Sequence, residues 1–154
     1  MTGLKAILGL PVVVDGRQVG RVEAGYLTES GEELLGLVIR NGMRGARWLD
    51  AGQIVSLGGV CVLAAGCPQR LPKQLAPMPG PVWDPCGLRL GRVTDVYLRG
   101  LRVEALEIFL GPWDDRRFGR MVARAWTLVP EGRVMKVLAP LDALARKEEF
   151  CGDH

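Results

Sequence analysis

The sequence predicts an all-β protein made of two small antiparallel β-barrels in tandem, followed by a short C-terminal helix. Three observations lead there. The first is an internal duplication: "GLPVVVDGRQVGRVEAGYL" from Gly9 and "GPVWDPCGLRLGRVTDVYL" from Gly80 align without a gap at an offset of 71. Gly9, Gly16, Gly20, Arg21, Val22, Tyr26 and Leu27 meet Gly80, Gly87, Gly91, Arg92, Val93, Tyr97 and Leu98, and glycines at fixed spacing imply the same turns in both copies. The second is composition: 21 glycines and 10 prolines in 154 residues weaken helix interiors and favour short strands joined by turns. The third is the segment "GCPQRLPKQLAPMPGP", where Pro68, Pro72, Pro77, Pro79 and Pro81 crowd together and favour an extended linker.

These observations place a first unit at residues 1–66, a linker at 67–76, a second unit at 77–143 and a helical tail at 144–154. Each unit is near the lower size limit for independent folding, so mutual packing would help both. The expectation is nonetheless twin closed sheets on either side of the bridge, not a single continuous core.

In the first copy, Pro11 to Val14 reads as a strand, Asp15-Gly16 as a tight turn and Val19 to Thr28 as a longer strand. Glu29 to Gly31 turns the chain into a third strand, Glu33 to Arg40. "MRGARWLD" carries a fourth, and "IVSL" and "VCVLA" form a last hairpin around Gly58-Gly59. Short antiparallel strands with such turns close most easily into a barrel, which removes exposed edges. The second copy repeats this through "RLGRVTDVYLR", "RVEALEIFL", "WTLV" and "VMKVLA". Its offset falls to 69 where "VEALEI" from Val103 faces "LLGLVI" from Leu34. After Pro140, Leu141, Leu144 and Ala145 fall on one helical face and predict the C-terminal helix.

Charge and residue usage exclude several classes of function. The formal charge of +3 gives no long-range field of the kind nucleic-acid binders show. Sixteen of the 20 basic residues are arginine, whose planar fork suits interfaces. Cys61, Cys67, Cys86 and Cys151 show no paired Cys-x-x-Cys spacing, which predicts free thiols in a reducing cytoplasm. No apolar run approaches the roughly 18 residues that a membrane-spanning helix needs.

No catalytic set is visible, so the expectation is a protein that is not an enzyme. The one histidine, His154, is the last residue, which leaves no His-based triad, and Ser30 and Ser56 lie outside any Gly-x-Ser-x-Gly elbow. Gly16, Gly20, Gly87 and Gly91 sit within predicted hairpins and read as turn glycines rather than a phosphate loop. Cys151 and His154 could hold one side of a zinc site, but two further ligands are missing, so no metal and no cofactor is assigned. Cys61, between Val60 and Val62 in a predicted strand, reads as a buried thiol.

In order and spacing, "DGRQVGRVEAGYL", "LLGLVI" and "IVSLGGVCVL" in the first copy, with "CGLRLGRVTDVYL" and "VEALEIF" in the second, resemble the PRC-barrel domain. The resemblance covers most of the chain outside the linker and tail. It implies a compact β-barrel used for assembly and contacts between proteins, as in the cytoplasmic subunit of photosynthetic reaction centres and a bacterial ribosome-maturation factor. It carries no catalytic set across. The chain lacks the membrane helix of the first relative and the second domain type of the other.

The candidate partner-binding surface is "GPWDDRRFGRMVARAW", which sets Trp113, Phe118 and Trp126 among Arg116, Arg117, Arg120 and Arg124. Its counterpart in the first copy is "NGMRGARW", with Arg44 and Arg47. Arg and Trp are enriched at interface hot spots, and aromatics among arginines also stack on unpaired bases. The alternative is that Trp48 and Trp126 fill the barrel cores. The resulting reading is a protein-binding assembly adaptor, a homodimer among its options, sporulation- or complex-associated as the resemblance implies, with an RNA- or ribosome-associated maturation factor as the second reading and a small-ligand or metal carrier using the barrel mouth or the Cys/His tail as the third.

Overall fold

The computed structural model describes residues 1–152, with Cys151 and Gly152 described by backbone alone. The chain is mostly strand, arranged in two sheets with a few short helices. Strand β1 (Thr2–Gly3) and the one-turn helix α1 (Leu4–Ile7) come first. The first sheet follows: β2 (Pro11–Val14), β3 (Arg17–Leu27), β4 (Leu34–Asn41), β5 (Gly45–Asp50), β6 (Ile54–Leu57) and β7 (Val62–Ala64), in the order β5-β4-β3-β2-β7-β6.

The second sheet holds β8 (Pro79–Trp83), β9 (Arg89–Arg99) and β10 (Arg102–Phe109), then, after helix α2 (Pro112–Phe118), β11 (Met121–Ala123), β12 (Thr127–Glu131) and β13 (Val134–Leu138). Its order β11-β10-β9-β8-β13-β12 repeats that of the first sheet strand for strand. Both sheets contain the same parallel pair, Val12 with Val62 and Val82 with Val137, which brings the last hairpin back onto the first strand. Strand β14 (Leu144–Arg146) and helix α3 (Lys147–Gly152) complete the described chain.

The duplication extends to register. Val22 pairs with Ile39 as Val93 pairs with Ile108, and Ala24 with Val38 as Asp95 with Glu107, with a bulge between these pairs in both sheets. Gly20 and Gly91 flank a second shared irregularity, on the hairpin side, where Gly20 pairs with Val12 and Gly91 with Val82. A Cβ on Gly20 would sit 3.0 Å from the Arg40 carbonyl oxygen, and one on Gly91 would collide with the carbonyl of Phe109, the corresponding residue. Backbone approach therefore requires glycine there. Gly16 closes the Asp15-Gly16 turn, where both residues have positive φ (50° and 77°), and Gly87 closes its own turn at 97°.

The gapless alignment needs one correction. Pro11 pairs with Arg21 and Pro81 with Arg92, so β2 and β8 correspond at an offset of 70 while β3 and β9 keep 71. The second hairpin holds one residue more in its turn, where Asp84 Oδ1 accepts from the Cys86 amide.

The expectation of two separate cores is also corrected. One contiguous apolar cluster runs from Leu4 and Ile7 through Val12, Leu37 and Leu49 to Val82, Leu106 and Val137. Units this small leave apolar area uncovered, and joining their faces is the available remedy. The N-terminal arm does part of this, because β1 pairs with β9 (Thr2 with Leu98, Gly3 with Tyr97) and the Lys5 amide donates to Asp95 Oδ1 at 3.0 Å. Leu4 rests on Gly25, and Gly31 receives Leu128 and Trp126 from the other sheet.

Two end segments differ from expectation. Leu141 is exposed, and Leu144–Arg146 is not helical but pairs with Met121–Ala123, so the helix starts only at Lys147. An open sheet edge supplies backbone partners that outweigh the helical periodicity of so short a stretch. The proline-rich linker does the same for the first sheet at one point, where Gln69 and Trp48 exchange both backbone hydrogen bonds at 2.7 and 2.8 Å. Cys61 is half-buried and precedes β7 rather than lying within it.

Candidate functional site

Helix α2 stands where the first unit has only a tight turn: residues 110–120 separate β10 from β11, against 42–44 between β4 and β5. Its start and stop follow local rules. Pro112 occupies the first turn, Asp114 and Asp115 complement the N-terminal end, and Arg116 and Arg117 complement the last turn. Gly119, at φ 77°, ends it, its amide donating to the Asp115 carbonyl at 3.0 Å. None of the helix's residues is buried.

Arg120 ties the helix to the sheet. Its Nε lies 3.1 Å from Asp115 Oδ1, an ion pair not aligned as a hydrogen bond, and 4.0 Å from Glu107 Oε1. Its Nη1 donates to Thr94 Oγ1 at 3.2 Å, and its guanidinium lies over the Phe109 ring, which Arg92 also approaches. Arg120 is thus half-buried in an anchor, whereas Arg116 and Arg117 are exposed and Arg124 lies over the Phe150 ring at 4.8 Å.

The opposite side of α2 is open. Trp113, Arg116 and Arg117 follow helical spacing and share one stripe, with Trp113 81% exposed. Phe118 adds a second exposed ring, 5.3 Å below the Arg117 guanidinium. Arg44 and Arg47 are exposed as well but belong to the β4–β5 hairpin of the first sheet. The arrangement therefore gathers Trp113, Arg116, Arg117 and Phe118 and assigns Arg44 and Arg47 to the other unit.

The two remaining tryptophans of the sequence argument separate. Trp48 is buried at 4% exposure and rests on Gly36 and near Tyr26. Trp126 is half-buried at the seam between the sheets and is not its counterpart. Trp48 pairs with Val38, and the residue that pairs with the corresponding Glu107 is Val122.

Beside α2 lies a polar cluster that the sequence reading missed. Glu107 is the one charged residue among those buried in the described chain, at 7% exposure, and accepts from Lys147 Nζ at 3.1 Å. Lys147 also approaches the Tyr97 ring, and its amide donates to the Arg120 carbonyl. The neighbouring Tyr97 hydroxyl, with Glu107 adding, raises the Lys147 pKa against the opposing effect of burial. Burial pushes the Tyr97 phenol above its ordinary range. The available signal was Glu107 itself, a carboxylate within the apolar strand "VEALEIF".

A cleft of about 500 Å³ opens between the units, lined by Glu32, Arg99, Arg102, Glu104, Arg124 and Trp126. Arg99 pairs with Glu104 at 2.9 Å, so its charges are largely balanced. Among the described residues no group of three His, Cys, Asp or Glu side chains could hold a metal ion. The Cys151 and His154 side chains, the pair considered for zinc, lie outside the described residues. Cys86 is exposed, and the adjacent Asp84 raises its pKa, which disfavours the reactive thiolate. No described helix is long and apolar enough to cross a membrane.

No protein-family model matches the chain, and no curated protein matches its sequence.

Proposed function

We propose that this chain is a non-catalytic adaptor that binds a protein partner through α2, on a scaffold of two PRC-barrel-like units. The repeated strand order, with its parallel closing pair, supports the scaffold. The observation that carries the function is the stripe of Trp113, Arg116 and Arg117 on a helix with no buried residue. A tryptophan this exposed lies outside the core, and Trp and Arg are the side chains that dominate binding energy at protein interfaces. The anchor beneath, Arg120 on Asp115 and Thr94, holds the stripe in place without using it.

RNA is the second partner class that Arg and aromatic residues suit. Asp114 and Asp115 on the same helix and the charge of +3 favour protein over a phosphate backbone. Affinity capture from the native cell tests the proposal with the wild type, Trp113→Ala, Arg117→Ala and, as a control on an exposed residue elsewhere, Leu88→Ala. Loss of the same prey protein in the two α2 variants alone supports it. Prey retained by all four contradicts it, and tight RNA binding that falls steeply with salt would transfer the site to the second reading.

A further inference from the structure

The duplication exposes a substitution of one aromatic residue for another. In the first unit, Tyr26 faces Trp48 at 6.4 Å between ring centroids, and the indole covers Gly36. In the second, Tyr97 corresponds to Tyr26, Ala105 to Gly36 and the smaller Val122 to Trp48. The space that Val122 leaves is filled from outside. Phe150 of α3 enters it, 2% exposed, 6.1 Å from the Tyr97 ring and packed with Ala105 and Val122.

We propose that this slot over Tyr97, Ala105 and Val122 is a recognition site for a protein segment bearing an aromatic residue one helical turn after a cation, with α3 as its intramolecular occupant. The slot selects both features. Its floor is apolar and shaped for a ring, while its rim presents Glu107, whose buried carboxylate takes the ammonium of Lys147, three residues before Phe150. An i, i+3 pair lies on one face of a helix, so a foreign helix with that spacing meets the same two contacts. The first unit offers no such site, because Trp48 belongs to its own strand β5 and cannot leave without unfolding the sheet. The site also differs from the α2 stripe, which lies on another element, so either can fail without the other.

The test uses a fluorescent synthetic peptide copying residues 144–152 and the full-length chain with Lys147→Ala and Phe150→Ala together, which frees both the rim carboxylate of Glu107 and the apolar floor. The peptide is expected to bind this variant and to bind the wild type at least about tenfold more weakly, since affinity falls with the fraction of molecules whose slot is open. A peptide with alanine for phenylalanine should not bind. A folded variant that ignores the peptide, or equal binding to both proteins, overturns the proposal. Should this double variant not fold, 4-fluorophenylalanine at position 150 of the otherwise unaltered chain reports directly. Excess peptide should move its fluorine resonance to the solvent-exposed position, and an unmoved resonance at saturating peptide overturns the proposal. A wild-type dimer by sedimentation velocity that exchanges α3 between copies would also overturn it, by assigning the slot to the chain itself.

Discussion

Glu33 forms an antiparallel bridge with Arg102, the residue that the duplication makes its own counterpart at an offset of 69. The flanking hydrogen bonds are images of each other: the Leu34 amide donates to the Leu101 carbonyl at 2.7 Å, and the Val103 amide to the Glu32 carbonyl at 2.8 Å. A chain segment that pairs antiparallel with its own repeat lies on a local two-fold axis. The two units therefore meet as a homodimer would, within one chain.

Because Leu34 and Val103 are image positions, both buried, their amides should exchange with solvent at similarly slow rates. Native-state hydrogen exchange checks this. Fast exchange at either one would mean that the seam opens independently of the sheets.

Gly91→Ala should destabilise the protein by about 1–3 kcal/mol, the usual range for forcing atoms into packed space, because its Cβ meets the backbone carbonyl of Phe109. Gly20→Ala, with more room before Arg40, should cost less. Urea denaturation of the two variants gives the ranking.

These two close approaches were legible in the sequence, because matching glycines mark where two backbones come together and that constraint is local. The strands flanking them were legible for the same reason, alternation and turns being short-range signals. The shared core was not, since nothing in "LKAI" says that Leu4 will rest on Gly25 while β1 pairs with Tyr97 and Leu98. Helix α2 was readable in principle from Pro112, the Asp114-Asp115 and Arg116-Arg117 pairs and Gly119, but seven residues carry too little periodicity to stand out. Phe150 was hidden because its role depends on a residue that is missing elsewhere, the tryptophan replaced by Val122.

Two tryptophans should behave oppositely. Trp48→Ala should cost about 3–5 kcal/mol as a large core deletion. Trp113→Ala should change stability by no more than about 0.5 kcal/mol, as exposed substitutions do. Thermal or chemical unfolding of both variants decides whether α2 is part of the fold or displayed by it.

The pKa values of Tyr97 and Lys147 are both raised by folding, from reference values of 10.0 and 10.5. The folded state therefore holds these protons more tightly than the unfolded chain. Their stabilisation is complete below pH 10.0 and is lost as pH rises through the raised folded values. An alkaline titration should show α3 detaching, read by fluorine at position 150, and Lys147→Met, which carries no titrating ammonium, should lose the part of that pH dependence that Lys147 supplies. Detachment in the acid range instead would contradict this pairing.

The central structural claim is that two copies of one strand order share a single core across a local two-fold. Urea unfolding of two variants, one retaining only Trp48 in the first sheet and the other only Trp83 in the second, each followed by its own tryptophan and by far-ultraviolet circular dichroism of the whole chain, tests it most directly. Within each variant, coincident midpoints and equal denaturant slopes for the two probes are the expected result. Two separated transitions, one for each sheet, would contradict the shared core.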